Sequence, residues 1–194
     1  MLAHAERDGT RLTDDEIHAF LRLLAPAGAE TTYRSSSNLL FGLLSHPDQL
    51  DAVRRDRSLI PRAIEEGLRW EAPLLGIMRR ATRDTAVCGV AIPEGATVSL
   101  NLGAANHDPE RWDRPHEFDL FREPKAHVAF AFGPHRCLGM HLAQRETQVV
   151  LNAVLDRLPE LALDPAAEDV HISGMIFRAP RELPVVFEPA RGSA

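Results

Sequence analysis

The ten residues Phe130-Ala131-Phe132-Gly133-Pro134-His135-Arg136-Cys137-Leu138-Gly139 place one thiol behind a turn of restricted backbone and at the mouth of a helix. That is an arrangement for offering a thiolate to a metal. From Leu138 the sequence reads as helix, with Leu151, Val154, Leu155 and Leu158 keeping an apolar stripe. Free amide hydrogens and the positive end of the dipole therefore converge near Cys137, a setting that favours a thiolate. Gly133 permits a tight turn or the close approach of a flat ligand, Pro134 stiffens the loop, and Phe130 is placed to pack beside the sulfur. A lone cysteine on a helix is more often a buried structural residue. The Gly and Phe at fixed offsets set this one apart.

A second unusual stretch is Leu24-Ala25-Pro26-Ala27-Gly28-Ala29-Glu30-Thr31-Thr32, inside what reads as a long helix. Proline in a helix interior costs about 3 kcal/mol, and glycine adds about 1. The compensating benefit would be a locally opened ladder, with room for a small ligand over Ala27 and Gly28 and for water near Glu30 and Thr31. A packing kink between close helices is the alternative. Glu66 and Arg69 stand at i and i+3 on another helix face, where they can pair; such a spacing alone usually marks a solvated surface pair.

The elements that position these groups follow from local signals. Thr13-Asp14-Asp15-Glu16 is a capping box and opens a helix reaching about Ser45, roughly 45 Å long at 1.5 Å per residue. Pro47 opens a short helix through Val53, and Pro61 another from Arg62 to Trp70. Val87 to Ile92 and Thr97 to Leu100 read as strands joined by the turn Pro93-Glu94-Gly95, with Cys88 in one arm. Asn106 to Lys125 reads as an ordered loop anchored by Trp112, Phe118 and Phe121, and His171 to Phe187 as a strand pair around Arg178 to Glu182.

Composition narrows the partners. The 194 residues are long enough to bury a core, and 28 Asp and Glu against 22 Lys and Arg, with no dense basic run, make nucleic acid an unexpected partner. Apolar stretches break well before about 18 residues, and the amino end lacks a leader pattern, which predicts no membrane association and a cytoplasmic location. The two cysteines predict no disulfide framework, and without C-x-x-C or H-E-x-x-H the nine histidines do not suggest zinc. A cysteine hydrolase using Cys137 with His135 or His141 lacks an orienting acid or oxyanion hole in the sequence.

The cysteine run resembles the ligand loop of the cytochromes P450, the haem-thiolate monooxygenases, whose pattern F-x-x-G-x-[HR]-x-C-x-G is filled at every specified position. Ala131 departs from the Gly, Ser, Asn or His of many relatives. The long-helix segment is similar to the family's A-G-x-[DE]-T, which lies on the oxygen side of the haem, and Glu66–Arg69 to its E-x-x-R. The resemblance implies an α+β fold, mainly α with small β-sheets: the carboxyl-terminal portion of one haem-thiolate domain over 1–194, with the amino-terminal half absent. It implies haem b, with Cys137 as axial ligand to the iron and Phe130, Gly133, Gly139, Ala27 and Gly28 around the cofactor. His135 and Arg79 would meet the propionates. Arg80 is the alternative, since neighbours on a strand face opposite ways, and the motif's register favours Arg79.

On the same resemblance, Thr31 hydrogen-bonds dioxygen or its water and Glu30 relays protons, while Arg122 joins Glu66 and Arg69 to lock the irregular loop. Pro73 to Ile77, Ala27 and Met175-Ile176 are implied to line a pocket for a hydrophobic small molecule. The implied activity inserts one atom of dioxygen into that molecule with electrons from separate ferredoxin and ferredoxin reductase type donors; Arg136 and Arg145 lie where an acidic donor would dock. The rival readings are a peroxide-driven haem enzyme, against which Glu30 and Thr31 count, and a truncated, non-catalytic remnant or half of a split enzyme that binds no haem alone.

Overall fold

The computed structural model describes residues 6–188. Helix α1, Asp14–Leu44, starts where the capping box requires: Glu16 N donates to Thr13 Oγ1 at 3.3 Å, and Thr13 N donates to Glu16 Oε2 at 2.8 Å. The two ends of this helix live in different surroundings. Its first half is largely exposed, whereas Ser35, Ser36, Asn38, Leu39, Gly42, Leu43 and Leu44 are buried.

Around that buried half pack α2 (Pro47–Arg55), α3 (Ile60–Trp70) and α5 (Met140–Arg157). Pro47 opens α2 and Pro61 lies in the first turn of α3, where a missing N–H costs nothing. The core joins Leu39, Leu43, Leu50, Val53, Ile60, Ile64, Leu120, Leu151 and Leu155, each such side chain contributing about 1.5–3 kcal/mol by leaving water. Two glycines set the helix spacing. A Cβ on Gly67 of α3 would lie 3.0 Å from Leu39 Cδ1, and one on Gly42 of α1 would lie 3.2 Å from Trp70 Cζ3 of α3 and 3.0 Å from Cδ2 of Phe118 in the irregular segment. The apolar stripe read for α5 holds, but the helix begins at Met140, leaving Leu138 and Gly139 in the loop.

The strands form five antiparallel pairs among the described residues: β1 (Glu6–Arg7) with β2 (Thr10–Arg11), β3 (Gly76–Arg80) with β6 (Thr97–Asn101), β4 (Thr85–Val87) with β5 (Val90–Ile92), β7 (Ala162–Leu163) with β10 (Val185–Val186), and β8 (Ile172–Ser173) with β9 (Ala179–Pro180). The expected joining of 87–92 to 97–100 is corrected here. Cys88 and Gly89 both take positive φ, 48° and 79°, and make a two-residue hairpin turn inside the apolar run. Cys88 is therefore turn, not arm. β6 instead pairs with β3, Arg79 opposite Val98.

The carboxyl tail also divides differently, since Val185–Val186 reach back to β7. Helix α4 (Leu102–Asn106) is a single turn capped by Asn101, whose Oδ1 accepts from Ala104 N at 2.9 Å. The irregular stretch after it is ordered as expected, with Trp112 and Phe118 buried; Phe121, 55% exposed, contributes little to that anchoring.

Candidate active site

The loop carrying Cys137 is closed by its own main chain. Ala131 N donates to Val128 O at 2.8 Å, Arg136 N to Gly133 O at 3.0 Å, and Cys137 N to Phe130 O at 2.9 Å. Gly133 has φ 75°, which its lack of a Cβ permits, and Ala131 has φ 57°, a conformation that costs an L-residue roughly 1–2 kcal/mol. The position that departs from the motif is thus one where glycine would be less strained. Cys137 is an exposed free thiol, and Gly139 caps α5 without a side-chain bond, leaving the helix's first amides open beside it.

This thiol faces a cavity of about 490 Å³. Cys137, Phe130, His135 and Gly139 of the loop line it together with Ala27, Gly28 and Thr31 of α1 and Arg79 of β3. Eight of the residues singled out from sequence therefore share one space, although they come from positions 27 to 139. Gly133 shapes the loop without lining the cavity. Pro73, Leu74 and Ile77 add apolar wall, and Leu68, Leu102, Leu142 and Thr147 join it without having been marked by any local motif; Gln144 and Glu146 of α5 bring an amide and a carboxylate to the same lining. Met175 and Ile176 do not line it; Met175 is 92% exposed, and Ile176 spends its carbonyl on Leu75 N.

The α1 segment differs from expectation in two respects. The helix runs through Pro26 and Gly28 unbroken, so room over Gly28 comes from the missing side chain, with nothing within 4 Å of its would-be Cβ. Thr31 Oγ1 donates back to Ala27 O at 2.9 Å, a back-bond that leaves its lone pairs as acceptors. Glu30 lies outside the cavity lining and pairs with Arg34, whose Nε donates to Glu30 Oε1 at 2.8 Å. On β3, Arg79 reaches the cavity and Arg80 turns to Gly95, as alternation on a strand requires.

Behind the loop stands a buried charge cluster. Arg69 Nε and Nη2 donate to Glu66 Oε2 and Oε1 at 2.8 and 2.9 Å, and Arg122 Nε lies 3.3 Å from Glu66 Oε1. Arg69 also donates to the carbonyls of Asn106, Pro115 and Glu117, and Arg122 to those of Asp113, Arg114 and Glu117. With Arg69 1% and Glu66 6% exposed, this is no solvated surface pair. Asn106 carries the cluster to the thiol loop, its Oδ1 accepting from Val128 N at 2.9 Å. A pair that sequence reasoning missed, Arg178 to Glu71 at 3.0 Å, ties the carboxyl tail to the end of α3.

The donor set suits a haem: one exposed thiol, apolar walls, small residues opposite, and two cationic side chains, Arg79 and His135, without an ion pair among the described residues.

Comparison with known proteins decides the family. The cytochrome P450 profile matches residues 1–165. The chain belongs to the cytochrome P450 family. It is 42% identical over 186 residues to cytochrome P450 107B1 of Saccharopolyspora erythraea, covering 95% of this chain and 46% of that protein. To the biotin biosynthesis cytochrome P450 of Bacillus subtilis it is 44% identical over 183 residues, covering 94% and 46%. The solved structure of the cytochrome P450 CYP109Q5 from Chondromyces apiculatus superposes with a TM-score of 0.90 at 36% identity, covering 98% of this chain and 49% of that one. The fold is therefore the P450 fold, mainly α with small sheets, and the chain spans about half the length of the curated relatives it matches. Among the described residues no helix is long and apolar enough to cross a membrane.

Proposed function

We propose that this chain is the cofactor-holding, carboxyl-terminal portion of a haem-dependent monooxygenase that inserts one atom of dioxygen into a hydrophobic small molecule. The observation that carries the reading is the convergence of Cys137, His135, Arg79 and Thr31 on one apolar-walled cavity. Haem b, when bound, supplies the activation of dioxygen. Cys137 Sγ would hold the iron as its anion, favoured by the open amides at the start of α5. Arg79 and His135 would neutralise the propionates, and Leu74, Ile77 and Leu102 would exclude water and seat an apolar substrate.

Thr31 would act at Oγ1. In its present rotamer the hydroxyl proton is committed to Ala27 O, so toward the cavity it is an acceptor that orients a proton-bearing group. Glu30 would supply protons from solvent after exchanging its Arg34 partner for water. Electrons would come from separate ferredoxin and ferredoxin reductase type donors meeting the face of Arg136 and Arg145.

A second reading has its own support: a chain covering 46% of its relatives, with Leu23, Phe132 and Leu138 well exposed, fits one half of a split enzyme that holds no haem alone. One experiment separates the two. The purified chain is reconstituted with haem, reduced and given carbon monoxide, with Cys137→Ala as control. The strongly red-shifted Soret band of a thiolate-ligated carbonyl, lost in the variant, is expected; no haem uptake selects the second reading. In a loaded enzyme Thr31→Ala should consume reductant without forming product, and turnover on peroxide without donors would select a peroxide-driven enzyme.

A further inference from the structure

The thiol loop is also gripped from outside, by a carboxylate next to the buried charge cluster. Glu65, one residue before Glu66 on α3, presents its two oxygens to two other elements. Gln144 Nε2 of α5 donates to Oε1 at 2.6 Å, and His127 Nε2 lies 3.3 Å from Oε2. His127 stands ten residues before Cys137 and Gln144 seven after it, so one side chain spans the entrance and the exit of the loop.

The histidine is the informative partner. Its side chain is 6% exposed, while that of Glu65 is 51% exposed. Ala129 N donates to His127 Nδ1 at 3.2 Å, which makes Nδ1 the acceptor and places the ring proton on Nε2, toward Glu65. That contact is an ion-pair distance rather than a well-aligned hydrogen bond, and Nε2 has no other acceptor. The imidazole packs against Phe130, ring centroids 6.1 Å apart, and Phe130 O is the acceptor for Cys137 N. A physical path therefore runs from Glu65 through His127 and Phe130 to the backbone of Cys137. The His127 ring beside Glu65 holds its carboxyl below the usual carboxylate range, with Gln144 and Arg136 adding to the effect. An exposed ion pair contributes little, and the buried Nε2 makes no hydrogen bond as it stands, so the carboxylate at 3.3 Å is what offsets its burial; the hydrogen bond that removing Glu65 breaks is the one from Gln144 at 2.6 Å.

We propose that Glu65 and His127 are positioning residues which, with Gln144, hold residues 128–139 in the conformation that presents Cys137 to the cavity. The role of Cys137 as a haem ligand rests on the function proposed above; the positioning itself does not need the cofactor.

The test accordingly has two arms. In the haem-free chain, amide hydrogen exchange is followed by peptide for Glu65→Ala, Glu65→Gln, His127→Phe and the Glu65→Ala/His127→Phe double variant. Exchange over 128–139 should rise about tenfold in Glu65→Ala, the equivalent of the charge-assisted hydrogen bond lost from Gln144, and about three- to tenfold in His127→Phe, which loses the Nδ1 acceptor of Ala129 N and the contact with Glu65. The double variant should rise by less than the product of the two single rises, because both lose the same Glu65–His127 contact. Glu65→Gln, which keeps a carbonyl acceptor, should stay within about threefold of the parent, and the buried half of α1 should not change. No rise in 128–139, a rise in only one of the two, or a uniform rise over α1, α3 and α5 overturns the proposal. Glu65 is half exposed, so its alanine variant opens no cavity; should His127→Phe not fold, the contrast between Glu65→Ala and Glu65→Gln decides.

In the second arm the same proteins are loaded, reduced and given carbon monoxide. The fraction lacking the thiolate red shift should grow in Glu65→Ala and return in Glu65→Gln; an undiminished red shift in Glu65→Ala overturns the role in presenting Cys137. A parent chain that takes up no haem sinks the proposed function and leaves the exchange arm intact.

Discussion

Replacing Arg69 by methionine tests whether the buried charge cluster holds the irregular segment in place. Methionine keeps an unbranched side chain of adequate helix propensity, so the change removes the guanidinium and little else. Glu66 then retains two donors, Asp119 N at 2.9 Å and Arg122 Nε at 3.3 Å, in a site 6% exposed. Breaking a buried pair by removing one partner costs about 3–5 kcal/mol. Three carbonyls, of Asn106, Pro115 and Glu117, also lose their donor. Water can reach some of them, so about 1 kcal/mol for the set is a conservative addition.

A loss of about 4–6 kcal/mol is comparable with the whole stability of a typical domain, about 5–15 kcal/mol. Arg69→Met should therefore lose a large share of the domain's stability and unfold at a much lower urea midpoint. The assay is urea unfolding followed by tryptophan fluorescence, since Trp112 lies with the Arg69 guanidinium 5.4 Å from its ring centroid and reports the site directly. Glu66→Leu/Arg69→Met removes both members of the tightest pair and leaves Arg122 on its carbonyl acceptors, so it should cost less than the sum of the single changes. A loss under about 1 kcal/mol for Arg69→Met, or strict additivity in the double variant, would refute the reasoning.

Gly67→Ala gains about 1 kcal/mol of helix propensity but drives a methyl to 3.0 Å from Leu39 Cδ1 and 3.5 Å from Leu39 Cα; a net loss of about 1–2 kcal/mol in urea unfolding is expected, and a stabilised variant would contradict the close α1–α3 contact. Pro26→Ala should raise thermal stability by about 1–3 kcal/mol, because α1 passes straight through a proline that leaves one ladder bond unmade; no gain would mean the helix already relieves that cost. Acid should weaken the Glu65 contact in a defined sense. Its carboxyl is held below 4.5, mainly by His127, so the native state binds fewer protons there than the unfolded chain. That contribution is present above pH about 4.5 and lost as pH falls through the lower native value, so the stability gap between the parent and Glu65→Gln should shrink from pH about 6 to about 3. A gap that stays constant or widens would refute it.

What the sequence disclosed depended on range. Thr13 and Glu16 are three residues apart, and their reciprocal bonds depend only on helix geometry, so the start of α1 could be read to the residue. Trp112, Phe118 and Phe121 stand out in a Pro-rich, charged segment by size alone, a signal that finds the first two, overrates the exposed Phe121 and passes over Leu120, which is 0% exposed. The hairpin partition was not readable in the same way: a turn at Cys88-Gly89 interrupts an apolar run at a residue with no turn preference, and the Pro93-Glu94-Gly95 signal belongs to the link into β6 instead. Glu66–Arg69 shows how local spacing can mislead. An i, i+3 pair is normally wet, and it is dry here only because carbonyls from positions 106 to 117 close over it. Glu65 with His127 and Gln144, and Glu71 with Arg178, join residues far apart in the chain, with no periodicity to announce them.

The two sides of the cavity are not equally supported within this chain. The thiol side is anchored by buried groups: the Glu66 cluster, Asn106 reaching Val128, and His127 beneath Phe130. On the α1 side, Thr31 and Glu30 sit at the boundary where the helix leaves the core, and beyond them Leu21, Leu23 and Leu24 are exposed. Between α1 and α5 a second cavity of about 660 Å³, lined by Gly28, Tyr33, Leu40, Val149 and Val150, leaves further apolar surface in water. Such surface opposes solubility unless something covers it. The thiol loop is thus held from behind by contacts within this chain, whereas the first half of α1 makes few among the described residues. On the proposed function the two sides therefore separate under mutation: Cys137→Ala abolishes the thiolate band, whereas Thr31→Ala leaves it and changes only the yield of product.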